Sequence, residues 1–364
     1  AEQLAMLGTA SVLWDKAFVL TADLDVNGVL IRRIGICPGS DFRGKFDGDG
    51  HAIRNLTMDA GDLAVWQVGL FGWIHAEGQV TNLILEQAVI RGGEWSRCLG
   101  ALAGFNEGVV SSCQAVSVLV EAKSSQVGIS AYVGGLAGCN QGSIDRCRTT
   151  GRVGGDVHIG GLIGLNHNGT VLHCSADVAV SGKSMLIGGL IGANLSESSA
   201  DDTAMVSRAI IENSYATGQV TGDPNSSDVG GLIGSNLDGD VVGCFATGAV
   251  SGGYWVGGLV ADNRSGSTIT NSYARGDVVG CSAVGGLVGG NEGLIATCYT
   301  TGKVTGDEYL GGLVSWDSAG EVDVSFWDIQ ASSIAESKGG AGKTTVEMQT
   351  VGTFLEAGWD FEDE

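Results

Sequence analysis

The segment Val284–Gly306, VGGLVGGNEGLIATCYTTGKVTG, constrains this chain more than any other, because variants of it recur from Leu70 to Trp327. Successive units are anchored by Leu70, Leu102, Leu136, Leu162, Leu190, Leu232, Leu259, Leu287 and Leu313, most often 26 to 28 residues apart. Each unit holds three short apolar pieces separated by glycine, and pieces this short cannot form regular helices. Short strands repeated at a fixed period describe a coil that winds and stacks, with rungs about 4.8 Å apart. The pattern predicts an all-β parallel β-helix of about nine to ten coils. Its 62 glycines accompany only 2 prolines and no three-residue period, so they serve tight, repeated backbone turns rather than disorder or a collagen-like helix.

Columns emerge when the units are aligned. Asn106, Asn140, Asn166, Asn194, Asn236, Asn263 and Asn291 follow the GGLVG piece, with Asp317 in the last unit. Asparagine tolerates a left-handed turn, and its amide can bond the amide of the next rung, so this column reads as a structural ladder at a corner. A second column holds Cys113, Cys147, Cys174, Ser214, Cys244, Ser272, Cys298 and Ser325. The residues after these run from Gln114, Arg148 and Ser175 to Tyr215, Phe245, Tyr273, Tyr299 and Phe326. Neighbours along a strand point to opposite faces, and Arg148 does not fit a narrow core. The Cys/Ser column is therefore placed inside, as small buried thiols, and the aromatic column outside. Ile144 and Ile295 lie three residues before their cysteines, so a bulge or corner is expected between them. A valine column (Val153, Val180, Val220, Val250, Val278, Val304) marks the third strand.

The units resemble the GLUG repeat, through Gly285-Gly286-Leu287-Val288-Gly289 followed by Asn291, Gly293, Tyr299, Gly302 and Val304. The resemblance spans residues 68–327, and the segments 46–58 and 339–349 look like those that flank such arrays. It implies a right-handed β-helix in secreted or surface proteins of bacteria, including adhesin-like proteins and the non-catalytic parts of IgA-specific metallopeptidases. Those peptidases need HExxH, which this sequence lacks, and the repeat brings no catalytic residues to carry over.

The expected organisation is an N-terminal cap and first coil over 1–60, the repeats over 61–327 with an insertion at 195–210, and a C-terminal cap over 328–364. Apolar positions between Thr344 and Ala357 predict a short helix lying over the open end of the rod. KGGAGKTT (338–345) matches a phosphate-binding loop in letters only. It follows no buried strand and opens no α/β domain, so Thr344 or Thr345 is read as a helix N-cap. Nine cysteines cannot all pair within one chain, and no CxxC spacing marks a metal site. A disulfide among Cys37, Cys98, Cys139 and Cys281 stays open.

A net charge of -22 repels nucleic acid and anionic membrane surfaces. No apolar run reaches the roughly 18–20 residues that span a bilayer. The GLUG resemblance implies an extracellular or cell-surface protein. The leading expectation is a non-catalytic module for structure, adhesion or assembly, presenting Tyr215, Phe245, Tyr273, Tyr299 and Phe326 to a polysaccharide, a partner protein or itself. The alternative is a polysaccharide lyase or glycoside hydrolase, with His158 and His167 converging on Glu197, Asp201 and Asp202. A third is a piece of a larger surface protein. No cofactor is expected, although Asp47 and Asp49 are candidates for holding Ca²⁺.

Overall fold

The structure, a computed structural model, describes residues 1–61, 65–123, 131–197 and 208–361. Within the repeat that opened the sequence reading, Ser282–Gly285, Val288–Asn291, Leu294–Ala296, Tyr299–Thr300 and Val304–Thr305 are strands. Each pairs in parallel with its counterpart one turn away: Val260 with Val288, Ile269 with Ile295, Val278 with Val304. A first sheet of 11 strands holds the Ile295 column and a third sheet of 9 strands holds the Val288 column, which makes an all-parallel β-solenoid of about ten turns. The second sheet carries the Tyr299, Val304 and Val284 columns side by side. All nine anchor leucines are buried, each at 1% exposure or less, in one continuous core.

The corner expected between Ile295 and Cys298 is a single left-handed residue. Thr297 has φ 53°, and Ser112, Arg146, His173, Asn213, Asn271 and Val324 have positive φ at the same place in their turns. One left-handed residue resets the alternation, so isoleucine and cysteine both face the core. The asparagine column, expected to turn its own corner after the GGLVG piece in a left-handed conformation, does not adopt it. None of its seven members has positive φ, and each lies within a strand or at its end.

What the asparagines supply is a hydrogen-bonded wire. Each side-chain Nδ2 donates to the Oδ1 of the next, from Asn106 through Asn140, Asn166, Asn194, Asn236 and Asn263 to Asn291, over 2.7–3.1 Å. The same nitrogens also donate to nearby backbone carbonyls, as Asn236 does to Gly239 O at 3.1 Å. A buried amide is costly unless paired, and this geometry pairs it on both sides.

The Cys/Ser column is more than filler. The left-handed corner leaves the backbone N–H of its following residue directed at the next rung. Cys113 N donates to Cys147 Sγ at 3.4 Å, and Cys298 N donates to Ser325 Oγ at 3.0 Å. Each side chain in turn donates to the carbonyl two residues back, as Cys298 Sγ does to Ala296 O and Ser325 Oγ to Asp323 O. A small donor-acceptor is required, which is why cysteine and serine alternate there.

The glycine pair of each unit marks a close backbone approach. A Cβ on Gly285 would lie 1.9 Å from Val288 O, and one on Gly286 2.2 Å from Gly312 O.

At the N-terminus, the helix Glu2–Leu7 buries Leu4 and Leu7 beside Trp14. The strand Ala17–Val19 then pairs with Lys45–Asp47. At the other end the predicted capping helix is replaced by an extended segment. Gly312 N donates to Glu336 O, Lys338 N donates to Val314 O, and Ala341–Lys343 pairs with Phe326–Asp328. The last rung exposes unpaired N–H and C=O groups, which a strand can bond and a helix cannot. Two short helices, Thr345–Met348 and Val351–Glu356, then fold back along the outside of the second sheet. Thr344 caps the first of them in a capping box with Glu347, so KGGAGKTT is a strand followed by a helix start.

Candidate functional site

The outward aromatic column is a stack. Tyr215, Phe245, Tyr273 and Tyr299 pair in register, with ring centroids 4.6, 4.9 and 4.9 Å apart and planes within 15° of parallel. Their faces are therefore occupied by one another, and only ring edges and the open face of Tyr215 meet solvent. Arg275 lies over Tyr273 and hydrogen-bonds the Tyr299 hydroxyl. Phe326 is buried and packs against Trp359, while Phe354 contacts both Tyr299 and Phe326. A sugar ring needs a free aromatic face, and this column offers few.

The histidines separate. His158 lies in the strand Arg148–Gly160 of the second sheet and His167 ends the strand Ile163–His167 of the third, so they belong to different sheets. His167 does meet Glu197, Nε2 to Oε1 at 3.3 Å, and Gln141 at 2.9 Å. His158 packs edge-on against Tyr132 at 4.7 Å, and burial pushes its pKa down to about 4. Asp201 and Asp202 lie outside the described residues. Asp47 accepts from Asp49 N and Asn82 Nδ2, and among the described residues no three His, Cys, Asp or Glu side chains gather as metal ligands.

His158 nonetheless points to the more informative feature. It belongs to a second left-handed column, with Leu186, Asp228, Trp255, Ala283 and Tyr309, two residues ahead of each glycine pair. Positive φ is unusual for bulky residues, and it turns these side chains out of the second sheet. Across the glycine corner, the third sheet presents Trp73, Phe105, Cys139, Leu165, Ala193, Ser235, Asp262, Gly290 and Trp316 as another outward column. Near the C-terminal turns the two columns wall a cleft.

Trp255 and Trp316 meet edge to face at 6.4 Å, and Tyr309 and Trp316 at 5.7 Å. Tyr254, Tyr309 and Trp316 are 46%, 57% and 43% exposed. A Cβ on Gly290 would fall 2.6 Å from the Trp255 ring, so that glycine makes room for the indole. Beside the aromatic wall is a hollow of about 460 Å³ lined by Ser227, Asp228, Tyr254, Trp255, Asp262, Arg264 and Glu292. Asp228 accepts from Ser227 Oγ at 2.7 Å, and Asp262 accepts from Arg264 Nε at 2.7 Å. Burial raises the pKa of Asp228 above the ordinary carboxylate value. Burial likewise raises that of Asp262, helped by the charges of Asp228 and Glu292 and opposed by Arg264.

This cleft was missed because its members are scattered in sequence. The available signal was an aromatic or acidic residue flanking the glycine pair in successive units, at Asp228, Trp255, Tyr309 and Trp316.

A raised native pKa fixes a sign. Below the unfolded value of 3.8 Asp228 is protonated in both states and costs nothing. As pH climbs through the raised native value the folded state retains its proton longer, and above it the buried charge destabilises the fold. Asp228→Asn is therefore expected to raise the urea midpoint at neutral pH and leave it unchanged in strong acid. Equal midpoints at neutral pH would contradict the assignment.

Residues 155–181, 225–251 and 280–305 match the family model described as "The GLUG motif", so the chain carries GLUG motif repeats in a β-solenoid. Over 241 residues, 61% of this chain, it is 31% identical to halomucin of Haloquadratum walsbyi, of which it spans 2%. It is 35% identical over 158 residues, 43% of its length, to a protein named as a candidate Gly-rich membrane protein of Evansella cellulosilytica, of which it spans 12%. A solved structure of a candidate immunoglobulin A1 protease from Bacteroides ovatus aligns with 84% of this chain and 77% of that one, at 18% identity and a TM-score of 0.38.

Proposed function

We propose that this GLUG-repeat β-solenoid is a non-catalytic module, outside the cell or on its surface, that holds glycan chains in the lateral cleft beside Trp255. One observation carries the reading: Tyr254, Tyr309 and Trp316 stay 46%, 57% and 43% exposed beside an open hollow, whereas the rings of the Tyr215-to-Tyr299 column stack face on face. Aromatic faces with a few convergent polar groups are what a sugar ring requires. The cleft spans several adjacent turns about 4.8 Å apart, a length that suits more than one sugar of a chain. The relatives support a surface setting, one being named a mucin and the other a membrane protein. Among the described residues, no helix is long and apolar enough to cross a bilayer.

A second reading has its own support. Asp228 and Asp262 bring two carboxyl groups into one hollow, and glycoside hydrolysis works with two carboxyl groups.

A panel of immobilised neutral, amino and acidic polysaccharides separates these readings. Retention without new reducing ends is expected, and Trp255→Ala should weaken it tenfold or more, about 1.4 kcal/mol. Steady release of reducing ends, abolished by Asp262→Asn, would replace the binding reading with the enzymatic one. Undiminished retention by Trp255→Ala would remove the cleft from the account.

A further inference from the structure

The Trp255 cleft has two adjoining compartments that share Tyr254 and Trp255. One is an apolar cage of about 260 Å³ completed by Ser282, Ala283, Tyr309 and Trp316. The other is the hollow that holds Asp228, Asp262, Arg264 and Glu292. We infer that this cleft selects glycans bearing a free, protonated amine over N-acetylated or acidic ones. The inference rests on the glycan-binding reading above and gives it a substrate class.

The charges are unbalanced. The strand Ser227–Gly230 contributes Asp228, and Tyr254–Gly257 contributes no charge. Asp262 lies on Val260–Asn263 and Arg264 follows that strand, while Glu292 follows Val288–Asn291. Three carboxylates thus face one guanidinium, and that guanidinium is already bound to Asp262 at 2.7 Å. An ammonium group placed beside Asp228 would supply the missing positive charge in a partly desolvated site, where Coulomb attraction exceeds its value in water. Burial is the main cause of the raised pKa values of Asp228 and Asp262, and Arg264 offsets it only in part. The neighbouring indole attracts the same cation through its ring face, an interaction strengthened by partial burial. An N-acetyl group brings no charge, and a uronate adds a fourth carboxylate to the site. The overall charge of -22 draws in a polycation and repels a polyanion over longer range.

The test is calorimetric titration of the whole chain with β-1,4-linked glucosamine oligomers, their fully N-acetylated counterparts and uronate oligomers of equal length. The glucosamine oligomer is expected to bind at least tenfold more tightly than the N-acetylated one at low salt. That preference should shrink as salt rises and as pH falls through the titration of the carboxylates. Asp228→Asn and Asp262→Asn should each reduce it. Because the preference is read on the unmodified protein, a variant that fails to fold does not obscure the result. Equal binding of amine and N-acetylated oligomers, or tighter binding of the uronate, overturns the inference and leaves the glycan-binding reading standing. Binding of none of the three takes both down.

Discussion

Replacing Asn236 with leucine is expected to lower the unfolding free energy by about 2–5 kcal/mol, read as a lower urea midpoint. Leucine keeps the volume and removes the bonds. Asn236 accepts from Asn194 and donates to both Asn263 and Gly239 O, so the change removes three buried hydrogen bonds and takes the donor from Asn263 Oδ1, while Asn194 Nδ2 keeps Ala209 O and Gly239 O keeps Thr268 N. Each orphaned buried group costs about 1–3 kcal/mol. The six links also point one way along the rod, each amide donating toward the C-terminal turn, so neighbours polarise one another. A loss below about 1 kcal/mol would mean that shape, rather than bonding, fixes this column.

A larger effect is expected from Gly285→Val. The new Cβ would sit 1.9 Å from the Val288 carbonyl oxygen, with that carbonyl's carbon at 2.6 Å. Both contacts are with backbone that carries the solenoid from one sheet to the next, so no side-chain rotation relieves them. The variant should cost more than about 4 kcal/mol and fail to accumulate as folded rod, as read by soluble yield and the β-sheet circular dichroism signal. Gly352→Ala is the control. Its Cβ meets only Thr350 Cγ2, at 3.9 Å, and within a helix the change should be neutral or mildly stabilising. Normal folding of Gly285→Val would show that the glycine pair is dispensable.

Much of the solenoid was legible because its period is written in residue type. The leucine anchors, the inward Cys/Ser column and the outward Arg-to-aromatic column all follow from alternation on a strand. The identity of the left-handed corner was not legible. The residue before each cysteine or serine of the column varies from serine and arginine to threonine and valine, so composition conceals a backbone conformation that only the register demands. The asparagine column misled for a related reason: asparagine suits a left-handed turn, but here its side chain is bonded to the rungs above and below. The C-terminal segment had a helical pattern, and the helices did form. Their placement depended on unpaired backbone at the last turn, which no pattern of side chains announces. The cleft failed to show because it needs two columns from different sheets, and Trp255 and Trp316 are brought together only by stacking.

The cysteine ladder has a bearing on durability. Burial pushes the thiols of Cys244 and Cys298 to about 12. Hydrogen bonds to Cys113 and Cys174, with burial, push that of Cys147 well up. At neutral pH a thiol of pKa 12 is ionised in roughly one molecule in a hundred thousand, and the thiolate is the species that attacks disulfides and oxidants. Cys113, Cys147, Cys174, Cys244 and Cys298 are all buried, and the S–H of each donates a hydrogen bond to a carbonyl. In chemical behaviour they are heavier serines. A rod built this way can add turns, and a cysteine with many of them, without adding reactive sulfur to its surface.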